Sequence, residues 1–401
     1  MKNLNSLFYP KSVAVFGATN KKNKVGFALC NNLKTFNSKL YFINPRLAEE
    51  RKTLFKNKFY SSILEVPSKV LDVAIIAVPA KFVLDIVKDL IVKKCANIIL
   101  ITAGFNESGN SKLTTKLMEL VKNNNINLVG PNCLGVVNQD FNFDGTFNSI
   151  KLEKPNFGNI SVICQSGALG SAILDVAKYE SLGINKFVSY GNALDVDECD
   201  LLEYLNTDKK TEVILSYIEG VRNGRRFFKT LKKVSKNKKV IIIKGGVSTQ
   251  GSSAAKSHTA AIAGSSKIFA SAVKQAGAYL VDSMDELFDL AKLFSIYNTQ
   301  ELKNIQLITN GGGFGVLCVD QLSKNNIAFT KISPALKSQL KKVLPSYAVI
   351  SNPLDLTGDA NSDRIIDCLN ICNKSKCVDS IALLLLFQLP GIDESIIQKL
   401  I

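Results

Sequence analysis

Five short runs, apolar at nearly every position and separated by helical segments, organise the first third of this chain. They are Ser12-Val13-Ala14-Val15-Phe16, Leu40-Tyr41-Phe42-Ile43, residues 73–78, residues 97–102 and Asn127-Leu128-Val129. Strands with this pattern, rather than an alternating one, are covered on both faces. Residues 25–33, 82–93 and 113–123 carry the apolar spacing of helices that could do the covering. This alternation constrains the segment to a parallel, doubly wound α/β sheet.

In such a sheet, ligands bind at the carboxyl ends of the strands. Here those ends read Gly17-Ala18-Thr19, Asn44-Pro45, Val78-Pro79-Ala80, Thr102-Ala103-Gly104 and Pro131-Asn132, all small, polar or stiffened by proline. They suit a backbone-lined groove for an extended ligand. No GxGxxG follows the first strand; Gly17 and Gly26 flank a loop with Lys21, Lys22 and Lys24 that leads to Val25. The second strand ends in Asn44 beside Arg46, not in the carboxylate that grips the ribose hydroxyls of NAD. A phosphorylated ribose fits better. Coenzyme A is one such ligand, and NADP is the other that these residues leave open.

Two further units follow the same grammar. After a polar stretch, residues 141–159, the strand Ile160-Ser161-Val162-Ile163-Cys164 runs into Gln165-Ser166-Gly167-Ala168 and a helical pattern. The unpaired N–H groups of a helix start make an anion site. Later strands end at Gly191-Asn192, Glu219-Gly220 and Lys244-Gly245-Gly246. A third unit begins near Ile305, where Gln306-Leu307-Ile308-Thr309 leads to Asn310-Gly311-Gly312-Gly313-Phe314-Gly315, a second candidate phosphate cradle. Its alternation is still under way at residue 401, so an incomplete third domain is expected. The expected domains are 1–140, 150–300 and 303–401.

Composition narrows the class. The net charge is +16, from 50 Lys and Arg against 34 Asp and Glu, but the cations are dispersed, without interleaved aromatics or any nucleic-acid-binding signature. Nucleic acid therefore ranks last among ligands. The nine cysteines form no CxxC pair. Cys368, Cys372 and Cys377 read as core thiols, so no metal site is expected, and free thiols in this number fit a reducing cytoplasm. No apolar run is long enough to span a bilayer, and the first residues lack the apolar core of a signal peptide.

His258, the single histidine, lies in Ser257-His258-Thr259 among small residues. Any histidine chemistry in this chain must use it. Together with Glu219 at a strand end and two glycine-loop helix starts, it supplies what a phosphohistidine relay needs. The carboxylate can hold one ring nitrogen protonated while the other attacks, and the helix starts can neutralise phosphoryl oxygens.

These motifs, in this order, resemble the α subunit of the NDP-forming acyl-CoA synthetases, of the ADP-forming acetyl-CoA synthetase type, relatives of succinyl-CoA synthetase. The resemblance runs through residues 12–19, Ile43-Asn44-Pro45, residues 101–105, residues 130–135 and Gln165-Ser166-Gly167-Ala168. It continues through Tyr217-Ile218-Glu219-Gly220, Lys244-Gly245-Gly246, Ser257-His258-Thr259 and Asn352-Pro353-Leu354-Asp355-Leu356.

The resemblance implies a Rossmann-like CoA-binding domain followed by two flavodoxin-like domains. It implies that His258 is phosphorylated transiently, that Glu219 stabilises phosphohistidine, and that Ser166, Gly167, Ala168, Gly311, Gly312 and Gly313 bind phosphate. CoA would lie along Gly17, Ala18, Thr19, Lys24, Val25, Asn44, Pro45, Val78, Pro79, Thr102, Ala103, Gly104 and Asn132. The implied reaction converts acyl-CoA, phosphate and ADP into carboxylate, CoA and ATP, reversibly. ADP, ATP and Mg²⁺ would be held by an ATP-grasp domain that no segment here supplies. That domain is expected on a β subunit, in an α2β2 assembly, or in a longer parent chain. The competing readings are a catalytically silent CoA-binding regulatory or scaffold protein, which the presence of both His258 and Glu219 disfavours, and an NADP-dependent oxidoreductase.

Overall fold

The computed structural model describes residues 2–149, 158–251, 265–297 and 303–400. The five apolar runs form parallel strands of a first sheet. In chain order its strands are β1 (Ser12–Phe16), β2 (Lys39–Ile43), β3 (Thr53–Leu54), β4 (Asn57–Tyr60), β5 (Val73–Ile76), β6 (Asn97–Leu100) and β7 (Asn127–Val129). They lie in the order β3-β4-β2-β1-β5-β6-β7, and only the short β3 runs antiparallel to its neighbour. Every residue of β1, β5 and β6 is buried, as runs without alternation require.

The second sheet contains β8 (Gly135–Asn138), β9 (Phe143–Asp144), β10 (Ile160–Cys164), β11 (Ile184–Ser189), β12 (Val213–Ile218), β13 (Lys239–Lys244) and β14 (Tyr279–Val281). Their order is β14-β13-β12-β10-β11-β8-β9. The β8–β9 hairpin is antiparallel and pairs with β11. Residues 135–140, expected at the end of the first domain, thus include a strand of the second sheet. Nothing in the local sequence marks β8, because its pairing partner lies some fifty residues later, at Lys186 to Ser189.

The first two sheets belong to one unit, Met1–Asn298, and share a hydrophobic cluster that includes Val13, Val15 and Ile75 from one sheet and Ile163, Val188 and Ile214 from the other. The second unit, Thr299–Ile401, holds a parallel three-stranded sheet of β15 (Ile305–Thr309), β16 (Leu354–Asp355) and β17 (Ser380–Leu384), in the order β16-β15-β17. Its own core gathers Ile308, Leu336, Leu340, Leu354, Ile365, Cys368 and Cys372. Burial pushes the thiols of Cys368 and Cys372 up to about 12 and about 11 respectively, so both sit in that core as neutral groups.

In each sheet the chain winds outward in both directions from one strand. β1 lies between β2 and β5, β10 between β11 and β12, and β15 between β16 and β17. A crevice opens at the carboxyl end of such a strand, where the flanking connections diverge to opposite faces. The loops that follow these strands begin at Gly17, Gln165 and Asn310. No described helix is long and apolar enough to cross a membrane.

Candidate active site

The carboxyl end of β10 opens a cleft of about 460 Å³, lined by Asn132, Cys133, Gln165, Ser166, Gly167, Ala168 and Asn192 among others. Ser166 is the N-cap of the helix Gly167–Tyr179, and its Oγ accepts from the Leu169 N–H at 3.3 Å. The remaining N–H groups of the first turn have no acceptor within the helix and carry its positive end. Gly170 allows the helix to sit close on its sheet, since a Cβ there would lie 2.7 Å from the Phe187 ring.

Gln165 links this helix start to Glu219. Its Oε1 accepts the backbone N–H groups of Glu219, at 2.7 Å, and Gly220, at 3.1 Å, and all three residues are buried. On the neighbouring strand, β13, Lys244 Nζ donates to the Glu219 carbonyl oxygen at 2.8 Å and to the Gly245 carbonyl oxygen. Burial lowers the Lys244 pKa below the ordinary lysine value, against the opposing pull of the Glu219 carboxylate. Tyr217 is pushed up by burial first and then by the same carboxylate. Three adjacent parallel strands, β10, β12 and β13, therefore set Ser166, Glu219 and Lys244-Gly245 side by side. His258 follows this last strand in sequence and lies outside the described residues.

Two more side chains bear on the cleft: Asn192, which the sequence offered only as a strand end, and its partner Glu107, which sequence reasoning passed over. Asn192 lines it. Glu107, on a short turn after β6, accepts the N–H groups of Gly104 at 2.6 Å and Phe105 at 3.0 Å with one oxygen, and Asn192 Nδ2 at 2.5 Å with the other. Burial pushes its pKa up, but these donors outweigh it and hold the carboxyl below the ordinary glutamate value.

The end of β1 carries two adjoining clefts. One, of about 600 Å³, is lined by Gly17, Thr19, Lys21, Lys24, Val25, Asn44 and Arg46 among others. It abuts the start of the helix Val25–Asn32, whose N-cap Lys24 makes no capping side-chain bond. Lys21, Lys24 and Arg46 give this cleft a cationic wall beside the helix start, with Arg46 also paired at 3.1 Å to Glu50, which lines the same cleft. The other cleft, of about 440 Å³, is more apolar, with Ile43, Pro45, Ile63, Val78, Pro79 and Phe82 in its wall, and it shares Gly17 and Asn44 with the first. Asn44 braces the junction by donating to the Ala18 carbonyl at 2.8 Å and accepting from Leu47 N–H at 3.3 Å. Gly17 (φ +84°) and Gly26 are required by close approach. A Cβ on Gly17 would lie 2.4 Å from the Ala77 oxygen, and one on Gly26 only 1.9 Å from the Gly17 oxygen.

The structure thus gathers Gly17, Thr19, Lys24, Val25, Asn44, Pro45, Val78 and Pro79 around β1. Ala18 is buried behind them. Thr102 faces back into the fold, its hydroxyl donating to the Val78 carbonyl at 2.7 Å, while Ala103 is exposed and Gly104 is held by Glu107. Asn132, grouped by sequence with these residues, lines the Ser166 cleft instead, because its left-handed backbone (φ 57°) turns the chain there after β7.

In the second unit, Gly311 is the N-cap of the helix Gly312–Lys324 and its N–H donates to Thr309 Oγ1 at 3.0 Å. Asn310 anchors the loop by exchanging bonds with the backbone of Leu386, at 3.1 and 2.8 Å. A Cβ on Gly312 would meet Asp355 at 2.5 Å, whereas Gly313 faces open space. Among the described residues, Asp197, Glu198 and Cys199 bring potential metal ligands within 4.8 Å of one another. Asp197 already caps the helix Glu198–Thr207 and pairs with Arg226 at 3.0 Å, which accounts for the cluster without an ion.

A model described as a CoA binding domain matches residues 11–139, one described as a succinyl-CoA ligase like flavodoxin domain matches 157–294, and one described as a ligase-CoA domain matches 305–383. An ADP-forming acetate–CoA ligase of Methanocaldococcus jannaschii is 42% identical over 360 residues, 90% of this chain and 50% of that protein. The alpha subunit of ADP-forming acetate–CoA ligase II of Pyrococcus furiosus is 37% identical over 366 residues, 90% of this chain and 77% of that subunit. The solved structure of dinucleotide-forming acetyl-coenzyme A synthetase 1 of Ca. Korarchaeum cryptofilum, in complex with phosphate and ADP, superposes with a TM-score of 0.89 at 35% identity, covering 96% of this chain and 82% of that one. The chain spans about half the length of the first curated relatives it matches, 50% and 55%. With similarity carried through all three sheets, as the sequence motifs implied, the chain belongs to the ADP-forming acetate–CoA ligase family, in the portion that corresponds to the Pyrococcus alpha subunit.

Proposed function

We propose that this chain is the CoA-binding and phosphoryl-carrying part of an ADP-forming acyl-CoA synthetase. The observation that carries the reading is the Gln165 link, which ties the helix start at Ser166 to the strand end bearing Glu219. The relative from Ca. Korarchaeum, named as a complex with phosphate and ADP, supports it.

A phosphate oxygen attacks the thioester carbonyl carbon, the C–S bond breaks, and CoA leaves as its thiolate, giving an acyl phosphate. The neutral nitrogen of His258 then attacks phosphorus, and the carboxylate departs with its oxygen. Phosphohistidine finally passes the phosphoryl group to the terminal phosphate oxygen of ADP, regenerating histidine and forming ATP. Each step is reversible. Ser166, Gly167 and Ala168 neutralise the phosphate before and after transfer. Glu219 orients the imidazole and stabilises its charged form. Gly311, Gly312 and Gly313 offer a second helix start of the same type.

CoA is assigned to the two clefts at β1. The cationic one, with Lys21, Lys24, Arg46 and the start of the helix Val25–Asn32, suits its phosphates, and the apolar one suits its ring system. An ATP-grasp partner, as a β subunit of an α2β2 assembly or a further domain, would bind ADP or ATP with Mg²⁺, in the cytoplasm.

The deciding experiment incubates the chain with acetyl-CoA and radiolabelled phosphate, alone and with the ATP-grasp partner and Mg-ADP. Acid-labile, base-stable label is expected on the wild type, not on His258→Ala, and in reduced amount on Glu219→Gln. Equal labelling of wild type and His258→Ala, or none with the full assembly, would sink the relay. Tight CoA binding without label would favour a scaffold protein.

A further inference from the structure

Glu107 and Asn192 lie in turns that follow strands of different sheets and are 85 residues apart in the chain, yet they meet at 2.5 Å beside the Ser166 cleft. An ionised carboxylate can only accept hydrogen bonds. With one oxygen occupied by the Gly104 and Phe105 N–H groups, Glu107 admits only the NH₂ end of the Asn192 amide at the other. Asn192 Oδ1 is thereby turned toward Asn132, whose Nδ2 lies at 3.5 Å, a long bond of matching polarity.

The backbone holds the two amides in register. Asn192 N–H donates to the Pro131 carbonyl at 3.0 Å, and Arg222 donates to the Asn192 carbonyl at 2.8 Å. A Cβ on Gly191 would lie 2.3 Å from the Pro131 oxygen and 2.4 Å from the Asn132 oxygen, so the loops touch directly. Both amides line the cleft with Gln165, Ser166 and Gly167. Each NH₂ has a second N–H beyond the one that maintains the chain of bonds, and fixed amide donors of this kind stabilise an oxyanion as it forms.

We propose that Glu107 is a positioning residue for acyl transfer, setting the polarity of the Asn192–Asn132 amide pair so that their remaining N–H groups serve the thioester carbonyl. The assignment rests on the function proposed above. As phosphate attacks, the carbonyl electron pair moves onto oxygen, the two N–H groups receive that charge, and collapse expels the CoA thiolate. Glu107 neither gains nor loses a proton in the step.

The polarity can be reversed and then restored. Glu107→Gln keeps its carbonyl oxygen on Gly104 and Phe105 but presents NH₂ to Asn192, which must flip, and Asn132 after it. Asn192→Asp alone sets two carboxylates against each other. Combined, the introduced amide donates to the introduced carboxylate, whose other oxygen accepts from Asn132 as before.

Phosphate-dependent CoA release from acetyl-CoA by the complete assembly is the readout. Each single variant is expected to lower kcat by about 10–100-fold without weakening CoA binding at the β1 clefts, and the double variant to recover only the share carried by Asn132, because the introduced carboxylate has no N–H to offer the carbonyl. A wild-type rate in Glu107→Gln, or a double variant no better than the worse single one, would overturn the proposal. So would losses that merely track melting temperature.

A measurement without turnover separates this proposal from the functional reading. The side-chain NH₂ signals of Asn192 in ¹⁵N spectra should include one proton shifted downfield by the carboxylate, and Glu107→Gln should remove that shift. An unchanged signal overturns the positioning role. A wild-type assembly that releases no CoA, with the signal behaving as expected, overturns the assigned reaction instead.

Discussion

Gln165 accepts the backbone N–H groups of Glu219 and Gly220 with a single oxygen, at 2.7 and 3.1 Å, from a position 54 residues earlier than Glu219 in the chain. A side chain at the end of β10 thus completes the hydrogen bonding of the loop that ends β12. The helix start at Ser166 and the strand end at Glu219 are held to one another through a buried bond from the Gln165 side chain to backbone N–H groups. Buried N–H groups without acceptors are costly, so this bond fixes the spacing of the two groups.

Replacing Gln165 by Leu removes that acceptor. We expect a destabilisation of about 1–3 kcal/mol for each N–H group left unpaired, read from urea unfolding. Gln165→Glu, which keeps an acceptor oxygen, should lose less. Unchanged unfolding of Gln165→Leu would mean that water reaches these N–H groups.

The cationic cleft at β1 makes a prediction about affinity. Lys24→Ala and Arg46→Ala should each weaken CoA binding by about five- to thirtyfold in calorimetric titration, with a smaller effect at high salt. Dephospho-CoA should show a smaller loss for whichever cation contacts the 3′-phosphate. Full affinity in both variants would move the phosphates elsewhere.

Two glycines at helix starts should respond in opposite ways to Ala. A Cβ on Gly26 would lie 1.9 Å from the backbone oxygen of Gly17, so Gly26→Ala must displace the β1 loop and should abolish CoA binding. Gly313 faces open space in the first turn of its helix. Gly313→Ala should fold normally and gain up to about 1 kcal/mol, measured by thermal unfolding.

Glu198 gives a pH dependence with a definite sign. It is 2% exposed, and burial first, then the charge of Asp197, raises its carboxyl to about 7. The folded state therefore holds this proton more tightly than the unfolded chain. Its contribution to stability is full below about pH 4 and is lost as the pH rises towards 7. Glu198→Gln should match the wild type at pH 4 and exceed it at pH 8 by about 1–3 kcal/mol. Equal melting temperatures at both pH values would contradict this.

The parts legible in sequence are those written in local patterns. The buried strands announce themselves by apolar runs, and the loops after β1, β10 and β15 by Gly17, Ser166 and the Gly311-Gly312-Gly313 run. The parts that were not legible depend on partners far away in the chain. Glu107 looks like an ordinary loop acid until Asn192 is brought to it, and Gln165 like a polar loop residue until β12 is laid beside β10. Asn132 shows the same limit, since its neighbours in sequence end β7 while its side chain serves the second sheet's cleft. β8, just ahead of the polar stretch 141–159, goes unmarked in the sequence because it contributes only four residues and finds its partner in β11.

That hairpin has a consequence for how the molecule comes apart. β8 and β9 extend the second sheet from within the stretch that connects the two, and Asn138 of β8 also donates to the Phe8 carbonyl at 3.0 Å. Phe8 in turn stacks on Tyr204 of the helix Glu198–Thr207, with ring centroids 4.4 Å apart. A cut at residue 140 would strip the second sheet of a strand and leave the first with an orphaned ribbon of unpaired backbone. The two sheets of this unit are therefore expected to melt together as one cooperative block. On the proposed function, loading CoA onto the first is expected to raise the temperature at which the second is lost, so that the ligand would act as a clamp on the region assigned the phosphate chemistry.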